Sequence, residues 1–272
     1  MIPKIIHFMW LSKNFENTKD IEQIPERYNI FIESWKKYNP QYKFIFWNNI
    51  NIQENIWNNK IFLPYKKLLS KMRLIEKCDI SRYMIMYLIG GIYIDLNTEC
   101  YRNIDKLIEN KKIILSKEPV EHTERWGGDS LVTNSFLASE PRNQFWLDFI
   151  EYIDKNYWNH KDVIEFVMIN TGPAILGRFS INYFGNDSDV FINNCLTQPL
   201  INKQTHSELS HYCEKKKSSN ELFPFFAKKW EYTAGWGQHQ ETNLSHKKIS
   251  HNQNFTIFVI ICIIILLYFL YF

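Results

Sequence analysis

The chain has 272 residues, 45% hydrophobic and 16% aromatic, which is enough for one sizeable core. Its net charge of +3 comes from basic residues dispersed among acidic ones, so no basic stripe points to a nucleic-acid partner. Five cysteines (Cys78, Cys100, Cys195, Cys213, Cys262) are odd in number, far apart and without C-x-x-C spacing. They argue against a disulfide framework or a zinc site and read as buried, reduced thiols.

In chain order, the apolar run within MIPKIIHFMWLSK is too short and wrongly flanked for a secretory signal. It reads as a first buried strand over 5–10. Residues 26–38 carry Ile30, Phe31, Trp35 and Tyr38 at helical spacing, closed by Pro40. KFIFW at 43–47 alternates as a second strand, and helical patterning resumes over 50–57. Strand, helix, strand, helix favours an α/β fold. Pro64 opens another helical region. Further on, 104–110 reads as a short helix and 112–116 as a strand. The polar loop 121–129 contains Trp126-Gly127-Gly128 and is of the kind that lines a site. A strand is expected over 135–138. An amphipathic helix over 143–157 sets Phe145, Trp146, Phe149, Ile150 and Ile153 on one side. Helical stretches at 163–169 and 174–183 are separated by Thr171-Gly172-Pro173. No internal repeat and no second globular domain is visible, so the expected organisation is one domain over 1–244, a linker over 245–254 and a terminal segment over 255–272.

That last segment, FTIFVIICIIILLYFLYF, is almost uninterruptedly apolar. As a helix it spans roughly 27 Å, close to the thickness of a thin bilayer. Tyr268 and Tyr271 suit one interface, and His246, Lys247 and Lys248 precede the run. With no polar face to pack against a core, it reads as a transmembrane anchor.

The stretch 78–99, CDISRYMIMYLIGGIYIDLNTE, carries the chemistry. Asp79 and Arg82 share one helix face at i, i+3, opposite Ile80, Tyr83, Met84, Tyr87 and Leu88. Gly90-Gly91 ends the helix by accepting positive φ. A short strand follows, and Asp95 and Asn97 emerge on one side at its carboxyl end, where open α/β sheets bind ligands. Two oxygen side chains at that spacing suit a hard divalent cation that also grips phosphate. A nearby arginine suits the same anion, in bidentate fashion.

The joined string D-x-x-R-Y with G-G-x-Y-x-D-x-[DN] resembles the DxD-motif sugar transferases of glycosyltransferase family 32, and more distantly the clostridial glucosylating toxins. IPKIIHFMW (2–10), GGDSLVTNSFLAS (127–139) followed by PRNQFW, and NTGP (170–173) extend the likeness over roughly the first 175 residues. GWGQH (235–239) only faintly echoes the family's terminal element. The resemblance implies a GT-A-type mixed, mostly parallel sheet flanked by helices. It also implies a nucleotide-sugar donor (UDP- or GDP-hexose), a divalent metal, usually manganese, and retention of anomeric configuration. Carried over by position, Trp10 borders the nucleobase, Asp79 and Arg82 hold the donor sugar and its phosphate, and Tyr93 hydrogen-bonds the diphosphate. Asp95 and Asn97 form the metal motif, with Asp79 and Asp95 as the catalytic carboxylates; Glu99 or His239 is the candidate ligand to compensate for the charge that Asn97 lacks. Asp129 and Asn134 orient the acceptor. The departure from the family is Asn97, where Asp is usual: it keeps a carbonyl oxygen and loses a negative charge.

The function expected is transfer of mannose, galactose or glucose to a lipid or glycan at a membrane. The alternatives are a protein-modifying transferase and a catalytically weak sugar-nucleotide-binding protein. A carboxyl-terminal anchor predicts a cytosolic catalytic domain. The Golgi or endoplasmic reticulum lumen is the alternative, in keeping with N-x-S/T triplets at Asn186, Asn243 and Asn254.

Overall fold

The computed structural model describes residues 1–12, 24–118, 131–158, 165–193 and 227–229. The chain divides into two units, Met1–Thr233 and Ala234–Phe272, and every described residue belongs to the first. Asp129, the loop around Trp126, His239, the linker and the apolar run 255–272 lie outside the described residues. Among the described residues no helix is long and apolar enough to cross a membrane.

The strands are β1 (Ile5–Met9), β2 (Lys43–Trp47), β3 (Gly91–Ile94), β4 (Thr98–Cys100), β5 (Ile113–Lys117), β6 (Val132–Ser139), β7 (Phe191–Asn193) and β8 (Ala227–Lys229). The helices are α1 (Asn29–Tyr38), α2 (Asn49–Ile52), α3 (Lys66–Lys71), α4 (Leu74–Leu88), α5 (Asp105–Ile108), α6 (Gln144–Asn156), α7 (Glu165–Asn170) and α8 (Pro173–Phe184). Six strands form one sheet in the order β2-β1-β3-β6-β5-β7, and β4 pairs with β8 in a second. In the large sheet β1 runs parallel to β2 and β3, and β5 parallel to β7, while β6 is antiparallel to both neighbours. The sheet is therefore mixed, with parallel pairings in the majority.

Two apolar layers cover its faces. On one side lie α4, α6 and α8, contributing Ile80, Tyr83, Phe145, Phe149, Ile175 and Leu176. On the other lie α1 and α5, with Trp35 and Leu107 packed against Ile6, Phe8, Ile92 and Ile94. Each such side chain removed from water contributes roughly 1.5–3 kcal/mol. The α6 stripe Phe145, Trp146, Phe149, Ile150, Ile153 is buried throughout, and the Asn143 side chain caps the helix by accepting the Phe145 N–H at 3.2 Å.

Helix α4 departs from the amphipathic expectation. Tyr87 and Leu88 are only half-buried, whereas Asp79 through Met86 are buried on every side, Ser81, Ile85 and Met86 included. It is a central helix lodged between sheet and outer helices, so its polar residues must find partners inside the protein. Its start is fixed by Glu76, whose Oε2 accepts the Arg73 backbone N–H at 3.0 Å. At its end Gly90 and Gly91 have φ of 67° and 89°. A Cβ on Gly90 would lie 2.5 Å from the Pro141 nitrogen, and one on Gly91 2.6 Å from the Ile5 oxygen. Only glycine satisfies both the torsions and the closeness of strand and turn.

His7 on β1 holds this turn from beneath. Trp47 Nε1 donates to His7 Nδ1 at 3.1 Å, so the ring proton resides on Nε2, which donates to the Gly90 carbonyl at 2.8 Å. Burial lowers the His7 pKa to about 4, the Gly90 carbonyl working against that shift, and the imidazole is neutral.

Candidate active site

The large sheet places three segments at one edge. β1 and β3 are parallel, with His7 opposite Tyr93, so Trp10 and Asp95 leave adjacent strands at their carboxyl ends. β6 runs the other way, Phe136 opposite Ile94, so its earlier residues Asn134 and Ser135 reach the same edge. There the β5–β6 register jumps from Leu115↔Leu137 to Ser116↔Thr133. The intervening residues of β6 bulge away from β5 and turn towards α4 and β3, as bulges beside functional sites commonly do. The Ser135 carbonyl accepts the Asp95 N–H at 2.9 Å, and the Asn134 carbonyl accepts from Arg82 Nη1 at 2.7 Å.

Arg82 is the hub. Its Nη2 lies 3.2 Å from Asp79 Oδ1 and its Nη1 3.3 Å from Asp95 Oδ1. Nε donates to the Cys78 carbonyl at 3.4 Å, and the guanidinium stacks over the Tyr93 ring at 4.7 Å. Nε and both Nη1 hydrogens are thereby hydrogen-bonded to protein, and Nη2, ion-paired with Asp79, is the nitrogen left for a ligand. A bidentate grip through Nε and an Nη, or through both Nη atoms, would displace one of these hydrogen bonds, so the arrangement offers a phosphate only the Nη2 side. Burial works against the Arg82 charge, but Tyr93, Asp95 and Asp79 outweigh it and hold the guanidinium above its ordinary range.

The two carboxylates differ. Asp79 is enclosed: Oδ1 accepts from Asn134 Nδ2 at 2.9 Å and pairs with Arg82, while Oδ2 accepts from Thr171 Oγ1 at 2.8 Å. Burial pushes its pKa up to about 6, and Arg82 and Thr171 hold it there rather than higher. Asp95 is more open, with 23% of its side chain exposed against 5% for Asp79. Its Oδ1 also accepts the Tyr93 hydroxyl at 3.1 Å. Because Tyr93 gives its proton to Asp95, that proton is not free for a diphosphate; burial and then Asp95, opposed by Arg82, raise the phenol well above its usual range.

Asn97 follows in the turn where the Thr98 N–H returns to the Asp95 carbonyl at 3.1 Å, and it is buried. Trp10 is half-buried, its ring 5.6 Å from that of Tyr28, and its Nε1–H is buried with no acceptor among the described residues. Asn134, expected at the acceptor, instead spends its amide on Asp79 and on the Tyr83 hydroxyl at 3.2 Å. The structure therefore brings Asp79, Arg82, Tyr93, Asp95 and Asn134 into one hydrogen-bonded cluster. Thr171 and Glu76 belong beside them and were not marked by the sequence as site residues. The signal was present in the polar pair of NTGP before its Gly-Pro break, because a carboxylate on a central helix requires a donor from somewhere.

A divalent cation fits the donor set at Asp95 and Asn97. Both offer oxygen, suited to a hard ion. Among the described residues no group of three or more His, Cys, Asp or Glu side chains could hold a metal ion. Two protein oxygens, completed by phosphate and water, match the way magnesium-like ions are held at phosphate sites.

Residues 25–114 match the family model described as a glycosyltransferase sugar-binding region containing a DXD motif. This stretch is similar to a DXD glycosyltransferase region. The chain is 29% identical over 188 residues to inositol phosphoceramide mannosyltransferase 1 of Schizosaccharomyces pombe, covering 64% of this chain and 50% of that protein. It is 30% identical over 184 residues to the mannosyl phosphorylinositol ceramide synthase SUR1 of Saccharomyces cerevisiae, covering 65% and 41%. The chain thus spans half or less of the length of these curated relatives. A solved structure titled PaToxG glycosyltransferase overlaps 67% of this chain and 70% of that one, with a TM-score of 0.47 and 16% identity. In the DXD region of this chain the motif reads Asp95-Leu96-Asn97.

Proposed function

We propose that this chain transfers a hexose from a nucleotide-sugar donor to a lipid acceptor at a membrane surface, in a GT-A-type fold and with retention of anomeric configuration. The observation that carries the reading is Arg82 shared between Asp79 and Asp95 at the carboxyl edge of β1 and β3. Cleaving a nucleotide-sugar bond builds negative charge on the diphosphate and positive charge on the sugar ring. A fixed cation and a buried carboxylate a few ångströms apart answer both. Arg82 offers Nη2 to the leaving diphosphate, and Asp79 orders a sugar hydroxyl and stabilises the electron-poor ring. Trp10 borders the nucleobase, its apolar face and its N–H, which has no acceptor among the described residues, both suited to a heterocycle.

Asp95 and Asn97 would hold the divalent cation, with manganese the expected ion. Bound there, the cation supplies Lewis-acid stabilisation of the diphosphate. Tyr93 and Arg82 orient Asp95 from the protein side, fixing Oδ1 by two hydrogen bonds. No side chain in the cluster is set apart as a covalent nucleophile.

The lipid acceptor is supported by the two relatives, an inositol phosphoceramide mannosyltransferase and a mannosyl phosphorylinositol ceramide synthase. The apolar run 255–272 favours it too, since an anchor holds the site at high effective concentration over a bilayer. The decisive experiment screens UDP- and GDP-hexoses for hydrolysis with and without manganese, using Asp95→Ala as control. Transfer of labelled sugar to membrane lipids, compared with a protein extract, then tests the acceptor. Donor turnover with label entering lipid is expected. No turnover of any donor overturns the enzyme reading, and label entering protein alone overturns the lipid acceptor.

A further inference from the structure

The NTGP segment takes no part in the scheme above, yet it makes the tightest contacts with the carboxylate at its centre. α7 ends at Asn170, and Gly172 allows the abrupt change into α8, where Pro173 occupies the first turn. A Cβ on Gly172 would lie 3.0 Å from the Val167 oxygen, so the turn is close-packed. Two consecutive side chains at this junction address two carboxylates one turn apart on α4. Asn170 Nδ2 lies 3.4 Å from Glu76 Oε1, and Thr171 Oγ1 lies 2.8 Å from Asp79 Oδ2. The Tyr83 hydroxyl donates to the Thr171 carbonyl at 2.6 Å, fixing the backbone as well. Glu76 is further held by Arg73 and by the Tyr157 hydroxyl at 3.0 Å.

The hydrogen-bond capacity of Asp79 decides what this does. An ionised carboxylate has about four acceptor positions. Asn134 takes one on Oδ1, the oxygen that is also ion-paired with Arg82, and Thr171 takes one on Oδ2. One remains on Oδ2, in a side chain only 5% exposed. We infer that Thr171 is a positioning residue for the donor sugar, acting through Asp79: its hydroxyl fixes the carboxylate plane and leaves a single Oδ2 acceptor for one sugar hydroxyl. The inference rests on the sugar-donor reading of the site and adds the residue that sets how the sugar is held. The diphosphate contacts, made by Arg82 and the Asp95 corner, do not pass through Thr171.

The test separates sugar from diphosphate. Dissociation constants for UDP, GDP and the corresponding UDP- and GDP-hexoses are measured for the full chain, Thr171→Val and Thr171→Ser, with thermal unfolding alongside. Valine keeps the shape and loses the donor, leaving an Oδ2 position vacant. Thr171→Val is expected to bind the nucleoside diphosphate within about twofold of the parent while losing the extra affinity that the sugar confers. Donor kcat/KM should fall about 10- to 100-fold, and Thr171→Ser should restore both. The inference is overturned if Thr171→Val keeps the sugar's increment, if it loses diphosphate binding in proportion, or if serine fails to rescue. A parent that binds nucleotide sugars but turns none over overturns the enzyme reading alone, because the binding increment still reads Thr171. A parent that gains no affinity from any hexose overturns both.

Discussion

Asp79 and Asp95 share one arginine and little else. Asp79 lies in the middle of a helix packed on all sides, with three hydrogen-bonding or ionic partners from α4, β6 and the α7–α8 turn. Asp95 stands just past the end of a strand, with a quarter of its side chain open. Burial pushes Asp79 up to about 6, so near neutral pH it is charged but held in a single geometry. The contrast fits the two tasks proposed for them. A carboxylate that must order a sugar benefits from having its spare lone pairs filled, whereas one that must meet a cation needs an open oxygen.

The largest expected effect breaks the open side. Asp95→Ala should lower donor hydrolysis on the order of 10³-fold while costing about 1–3 kcal/mol of unfolding free energy, because the Tyr93 hydroxyl and one Arg82 N–H lose their acceptor. Steady-state assays and urea melts measure the two, and a larger stability loss would show that Asp95 is as structural as Asp79. Next comes the shared cation. Arg82→Met should strand Asp79 in the interior and orphan the Asn134 carbonyl, costing about 3–5 kcal/mol. If denaturant unfolding shows less than about 1 kcal/mol, the pair is not the buried hub described.

The joint between the two carboxylates is the Gly90-Gly91 turn held by His7, and its pH response sharpens the comparison. His7 is lowered to about 4 in the folded chain against 6.5 for the free side chain. The unfolded chain therefore binds the extra proton first, so stability present above pH 6.5 is lost as pH falls towards 4, by about 3 kcal/mol in all. Asp79 acts with the opposite sign. Its raised pKa means the folded chain binds the extra proton, and stability falls as pH rises from 3.8 to about 6. His7→Gln keeps an acceptor for Trp47 and a donor for Gly90. Subtracting its stability–pH curve from that of the parent should leave the His7 slope alone, and a flat difference between pH 4 and 6.5 would refute the neutral buried imidazole. The smallest effect concerns Asn97. Asn97→Asp adds charge to the open side and should keep or raise metal affinity, lowering half-saturating manganese several-fold. Loss of activity instead would mean that the site is built around the amide.

Much of this was legible in the chain itself, because it depends on local spacing. The i, i+3 interval of Asp79 and Arg82 forces one helix face, and the observed ion pair follows. Gly90-Gly91 marked the turn through its torsions, and the α6 stripe marked a buried face through its period. The amphipathic reading of α4 failed because a helix buried all round has no polar face to betray which side is which. The β4–β8 pair was invisible, since three-residue strands far apart in sequence carry no periodicity.

The amino-acid sequence alone thus determined the α/β character, the order of the main elements and the DXD corner, all properties of near neighbours in the chain. Tertiary structure alone decided what the corner's residues are doing. It reversed β6 beside β3, bulged Asn134 towards Asp79, committed three of the Arg82 donors and brought Thr171, 92 positions away, onto a carboxylate. Those outcomes depend on how many hydrogen bonds a buried group must satisfy and which strand passes close enough to supply them, and neither is written in local spacing.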